Sequence, residues 1–196
     1  MKLLIATYNQ GKLKDYKNLL KDYPLEIVSL DDEKITDDIE ENGQTFEENS
    51  LLKARFFCKL ANMPTLADDG GLVIDVLNGE PGVHSRRWKG YRMTDQEMVD
   101  YALERMQGIQ REQRTARMVA VLSLVFPDGR EFQSKAAIEG IISEKQETAI
   151  MQGYPFRSIF FVKELGKIFT DLTEEEHDRI NHRIPAIKEL SKHFME

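Results

Sequence analysis

Cysteine is almost missing: Cys58 is the only one in 196 residues. No intramolecular disulfide can form, so the fold must rest on its apolar core, and a reducing cytoplasm suits such a chain. A long hydrophobic run is missing too. The N-terminal stretch Leu3-Leu4-Ile5-Ala6 gives way at once to polar Thr7, too short for a signal sequence or a membrane span. Basic residues are not in excess: 27 Lys and Arg face 34 Asp and Glu, a formal net charge of −7. That balance argues against a general binder of nucleic acid or of anionic membrane. The P-loop pattern G-x-x-x-x-G-K-[ST] does not occur, nor does an internal repeat, a low-complexity tract or a recognisable linker. What is present is an ordinary globular composition, 41% hydrophobic and 31% charged, in a chain long enough for one sizeable core.

Residues 3–6 have the continuous apolar pattern of a strand buried on both faces. A polar turn follows, Thr7-Tyr8-Asn9-Gln10-Gly11-Lys12, and then Leu13, Tyr16, Leu19 and Leu20 recur at helical spacing. With a second strand over 26–30 this is a βαβ unit, hence a parallel sheet. Helix N-termini bind anions through unpaired N–H groups, and Thr7, Asn9 and Lys12 add donors and a charge to this one. A capped turn with a solvated lysine accounts for the same residues.

The acidic stretch over 31–44 reads as a solvated loop. Thr45-Phe46-Glu47-Glu48 then gives a capping box opening a helix to about residue 61. Phe46, Asn49 and Lys53 share one face of that helix, beside an apolar stripe of Leu52, Phe56 and Leu60. Lys53 either serves a site or snorkels to water. Next, Thr65-Leu66-Ala67 leads like a strand end into Asp68-Asp69-Gly70-Gly71, read as a turn, and 72–77 resume as a strand. Adjacent residues of extended chain face opposite ways, so one Asp can address a ligand while the other supports it. Carboxylates beside bare backbone suit a hard cation such as Mg²⁺, although an Asx turn explains the same composition.

Further on come a Gly/Pro loop over 78–88 in which Ser85 with Arg86 or Arg87 could meet an anion, and a helix opened by a second capping box at Thr94 and Glu97. A hairpin of two long strands, 116–126 and 130–142, turns at Pro127-Asp128-Gly129. An aromatic loop with a short buried strand occupies 153–162. A third capping box at Thr173 and Glu176 opens a short helix, and Pro185 starts the terminal one.

Taken together, Thr7-x-Asn9-x-x-Lys12, Thr45-Phe46-x-Glu48-Asn49-x-x-x-Lys53-Ala54, Ala67-Asp68-Asp69-x-Gly71-Leu72, Gly79-x-Pro81-Gly82-Val83-x-Ser85 and His182-Arg183 resemble the inosine/xanthosine triphosphate pyrophosphatases in order and spacing. The resemblance spans residue 2 to about 190. It implies an α/β fold, an elongated mixed sheet flanked by helices, with the chain 1–196 forming a single domain of two lobes around a central cleft. It also implies a homodimer and Mg²⁺-dependent hydrolysis of deaminated purine nucleoside triphosphates (ITP, dITP, XTP) to monophosphate and pyrophosphate. In that likeness Thr7, Asn9 and Lys12 hold the triphosphate and Lys53 is a second phosphate lysine. Glu40 or Glu41 joins Asp69 at the metal, Asp69 activates water with Asp68 beside it, and Gly70 lies against the substrate. Lys167, His182 and Arg183 contact the base and nearby phosphate. The chain departs from the family at Tyr8, where Gly is usual, at Gly70, where Ser is usual, and in its base-binding loop. There Gly153-Tyr154-Pro155-Phe156-Arg157-Ser158 stands for Gly-Phe-Gly-Tyr-Asp-Pro, with Tyr154 and Phe156 as the aromatic contacts. Arg157 replaces an acceptor with a donor, which leaves open a shifted base preference. A nucleotide-binding protein without turnover is the reading from another class.

Overall fold

The computed structural model describes residues 1–194. In chain order its elements are β1 (Lys2–Ile5), α1 (Gln10–Leu19), β2 (Glu26–Ser29), α2 (Phe46–Ala61) and β3 (Thr65–Ile74). Then come α3 (Asp95–Arg105), β4 (Thr115–Val125), β5 (Glu131–Ile142), β6 (Phe160–Val162), β7 (Lys167–Ile168), α4 (Glu174–Ile180) and α5 (Arg183–Leu190). The strands make one open mixed sheet of seven, ordered β2-β1-β3-β4-β5-β6-β7. Pairing is parallel from β2 through β1 to β3 and antiparallel from β5 through β6 to β7. Two compact units divide the chain: Met1–Asp69 with Ala120–Ala136 and the residues from Arg183 on, and Gly70–Val119 with Ala137–His182. Among the described residues no helix is long and apolar enough to cross a membrane.

In the first unit β1 is buried on both sides, as its unbroken apolar run requires. Leu3 and Ile5 pack with Leu13, Tyr16 and Leu20 and with Ala186, Ile187 and Leu190 of α5. Leu4 and Ala6 face the other way, onto Ala54, Phe57 and Cys58 of α2. The βαβ reading holds, with Lys2 to Ile5 in parallel register against Glu26 to Ser29.

Two local expectations are corrected. The buried face of α2 is Phe46, Ser50, Ala54, Phe57 and Cys58, whereas Leu60 is 46% exposed. Small Ser50 and Ala54 let the helix lie close to the sheet, where the Ser50 hydroxyl meets that of Ser123 at 2.7 Å. Its capping box is half formed: Thr45 accepts from Glu48 N–H, but the Glu48 carboxylate takes Gln44 N–H instead. Those at Thr94 and Thr173 are complete.

The second correction concerns Asp68-Asp69-Gly70-Gly71, which is not a turn. β3 runs through it as ten continuous residues, then stops at Ile74, and Asp75–Leu77 form a 3₁₀ turn instead of more strand. Neither Gly70 nor Gly71 takes a positive φ. Burial of Leu66, Leu72 and Ile74, each at most 1% exposed, draws the chain straight on and overrides turn-prone composition.

In the second unit Met98, Val99 and Ala102 of α3 pack with Leu72, Ile74, Ile138, Ile142, Phe156 and Phe160.

Candidate active site

The turn from β1 into α1 is built from its own side chains. Asn9 is the N-cap of α1, its Oδ1 accepting Gly11 N–H at 2.9 Å and Lys12 N–H at 3.2 Å. Thr7 Oγ1 in turn accepts Asn9 N–H at 3.2 Å. Both residues therefore shape the loop with their acceptor oxygens, while the Thr7 hydroxyl proton and the Asn9 amide nitrogen keep the donor chemistry an anion needs. This geometry holds Lys12 in the first turn of α1, whose N–H groups point the same way.

From there Lys12 Nζ reaches Asp68 Oδ1 at 2.8 Å. Arg183, in the first turn of α5, approaches the other oxygen, with Nη2 at 3.2 Å and Nε at 3.4 Å. Asp68 is 3% exposed and Arg183 7%. Burial works against ionising Asp68, yet Lys12 and Arg183 hold its carboxyl well below the usual carboxylate range.

Asp69 faces other company, as strand alternation requires. Burial pushes its carboxyl up to about 6, with Lys53 and Lys12 opposing and Glu41 reinforcing the rise; Asn49 hydrogen-bonds it. Lys53 does not snorkel to water. Its Nζ donates to the Asp68 carbonyl oxygen at 3.1 Å and pairs with Glu41 at 3.0 Å. Of the adjacent acids left open by the sequence, Glu41 is the one that stands at Lys53 and Asp69, and Glu40 is an exposed side chain of the acidic loop.

Among the described residues no group of three or more His, Cys, Asp or Glu side chains is arranged to hold a metal. The donors present are Glu41 and Asp69, two hard oxygen ligands, of which Asp69 is driven toward its protonated form chiefly by burial and further by Glu41. That set fits Mg²⁺, which binds through one or two carboxylates and completes its shell with water and substrate phosphate.

Thr7, Asn9, Lys12, Glu41, Lys53, Asp68, Asp69 and Arg183 all lie in the first unit. Gly70, Tyr154, Phe156, Arg157, Lys167 and His182 belong to the second. There Phe156 is buried in the core and Lys167 is paired with Glu176 at 2.6 Å. The Arg157 guanidinium lies 3.9 Å from the Tyr154 ring centroid and 4.7 Å from that of Phe169. His182 is 8% exposed. Arg86, considered above for an anion, is engaged by Asp95 at 2.5 Å, and Asp95 also accepts Gly153 N–H at 2.8 Å.

The sequence reading overlooked Tyr16 and Asp95. Tyr16 reads as one more apolar position of α1, but it stands one turn beyond Lys12, and its hydroxyl is at Asp68 and Arg183. Asp95 reads as a first-turn acid, and only the fold shows that it ties Arg86 to the 153 loop.

The Ham1 family matches residues 3–193. The dITP/XTP pyrophosphatase of Bacillus subtilis (strain 168) is 39% identical over 189 residues, covering 96% of this chain and 94% of that one. That of Thermus thermophilus is 41% identical over 190 residues, covering 97% and 90%. Among solved structures, the Ham1 protein of Staphylococcus aureus superposes with a TM-score of 0.85 at 32% identity, over 100% of this chain and 98% of the other. A HAM1 protein from Coxiella burnetii gives 0.87 at 31%, again over 100% and 98%. Matched over almost its whole length in sequence and in fold, this chain is a member of the Ham1 family.

Proposed function

We propose that this chain hydrolyses deaminated purine nucleoside triphosphates, dITP, ITP and XTP, to the monophosphate and pyrophosphate, clearing them from the nucleotide pool. The observation that carries the reading is the divergence of Asp68 and Asp69 within one strand. Asp68 is an ionised counter-ion for Lys12 and Arg183, and Asp69 is a carboxyl poised at about 6 beside Lys53 and Glu41. Support also comes from relatives named dITP/XTP pyrophosphatase across nearly the full chain.

In this reading Lys12, Lys53 and the amides opening α1 hold the triphosphate, with Thr7 and Asn9 supplying further donors. Charge neutralisation and in-line positioning account for most of the catalysis of such transfers. Asp69 takes the proton of the water that attacks the α-phosphorus. Glu41 and Asp69 would hold Mg²⁺, which would supply charge neutralisation and orientation to the phosphate chain. Base recognition falls to Tyr154, Lys167, His182 and Arg183. The reading includes a homodimer working in the cytoplasm; the single buried thiol is in keeping with that compartment.

The test is pyrophosphate release from dITP, ITP, XTP and the standard nucleotides with Mg²⁺. Asp69→Asn should lower the rate by about 10²–10⁴. Nucleotide binding without pyrophosphate release would instead favour the reading without turnover. A second reading, the same chemistry with a shifted base preference, is favoured by Arg157, whose guanidinium covers an aromatic face of Tyr154 and offers only donors. An unchanged ITP and XTP preference in Arg157→Asp would dismiss it.

A further inference from the structure

Asp68 is 3% exposed and balances two cations, but those cations are not equivalent. The Arg183 side chain is 9% exposed at the first turn of α5, whereas that of Lys12 is 20% exposed and carries its charge on an unbranched four-carbon stem. If Lys12 turns to a phosphate, Asp68 Oδ1 loses its 2.8 Å partner while staying buried. A buried charge stripped of a partner is strongly unfavourable. Something must replace Lys12 there, or the lysine would stay where it is.

Tyr16 stands where such a group is needed. It follows Lys12 at i+4, so both side chains leave the same face of α1. Tyr16 is 1% exposed, with its ring in the core and its hydroxyl against Asp68 and Arg183, whose proximity, after burial, governs its ionisation. That hydroxyl makes no hydrogen bond of ordinary geometry, although Asp68 and Arg183 stand within reach of it. Buried hydroxyls are nearly always hydrogen-bonded, and an exception calls for a reason. A phenol O–H is a donor that needs only a rotation to point at a new acceptor.

We infer that Tyr16 is a positioning residue for the triphosphate: its hydroxyl donates to the Asp68 carboxylate as Lys12 leaves, so that the lysine is released to the phosphate without stranding a buried charge. This rests on the reading of Lys12 as a phosphate ligand. Tyr16 touches no reacting atom. It acts through Asp68, in the binding step.

The experiment is Tyr16→Phe, read by binding of inorganic triphosphate with Mg²⁺, by KM and kcat for dITP, and by ligand-free melting temperature. Losing one hydrogen bond to a charged group should weaken triphosphate binding and raise KM by about tenfold, with kcat little changed. Ligand-free stability should be little changed, because the hydroxyl makes no hydrogen bond of ordinary geometry in that state. A structural role would move binding and melting temperature down together. In a Lys12→Met background the effect of Tyr16→Phe on triphosphate binding should vanish, since there is no lysine to release. Unchanged binding in Tyr16→Phe, a parallel loss of stability, or an equal effect in both backgrounds would overturn the inference. The functional reading is judged separately: if the wild type binds inorganic triphosphate but releases no pyrophosphate from any nucleotide, that reading fails while the Tyr16 comparison still stands or falls by its own result.

Discussion

Asp68 and Asp69 are the same side chain on consecutive residues, and the pleat sends them into opposite environments. Asp68 meets Lys12 and Arg183 and stays charged; Asp69 meets burial, with a second carboxylate adding to it, and its carboxyl rises to about 6. Their amide variants should therefore fail in different ways. Asp68→Asn leaves Lys12 and Arg183 without their counter-ion, and breaking a buried pair of this kind costs about 3–5 kcal/mol. Urea unfolding should show a lower midpoint with an unchanged slope. Asp69→Asn removes the proposed base and with it a like-charge contact with Glu41, so it should lower turnover by about 10²–10⁴ without lowering the midpoint. If both variants unfolded at the wild-type midpoint, Asp68 would not be the counter-ion described. The sequence could show that adjacent acids in extended chain point apart. It could not show that Arg183 reaches Asp68, because a contact across 115 residues leaves no trace in local spacing.

At the scale of elements, legibility follows how local the deciding force is. β1, the N-caps at Thr94 and Thr173 and the long hairpin were readable because apolar runs, capping side chains and turn residues act within a few positions. The straight course of β3 was not, since it depends on burial of Leu72 and Ile74 in a core whose other members are distant in sequence. The buried face of α2 was misread for the same reason: its partners decide it, and close approach to Ser123 selects small residues over large ones. Gly140 on β5 is a further case. A Cβ there would sit 2.4 Å from the Phe160 ring and 2.6 Å from the Phe161 carbonyl oxygen. Because Gly140 pairs with Val162 and Ile142 with Phe160, that added atom would press β6 away from its neighbour. Gly140→Ala should cost about 1–3 kcal/mol by overpacking and speed amide exchange in β6 and β7 while sparing β1. Wild-type exchange throughout β6 would show that the ring moves aside at no cost.

For the whole molecule, a formal charge of −7 opposes an anionic substrate, so attraction must be local, and its pH dependence should be traceable to few groups. The carboxyl of Asp69 is raised from 3.8 in the unfolded chain to about 6 in the folded one. The folded state therefore holds the extra proton between those values. In the ligand-free protein the contribution of Asp69 to stability falls as pH rises through that window and stays lost above it. Asp68 has the opposite sign: its folded value is depressed, so its contribution is complete above the unfolded value and lost only in stronger acid. Mg²⁺ held at Glu41 and Asp69, as proposed, would bind the ionised form, so it should offset the Asp69 penalty where that penalty exists. The rise in melting temperature on adding Mg²⁺ should be small at about pH 5 and larger at about pH 7.5. Asp69→Asn should flatten this difference by removing the group that titrates. A Mg²⁺ shift of equal size at both pH values, or one that keeps its pH dependence in Asp69→Asn, would place the cation on other ligands.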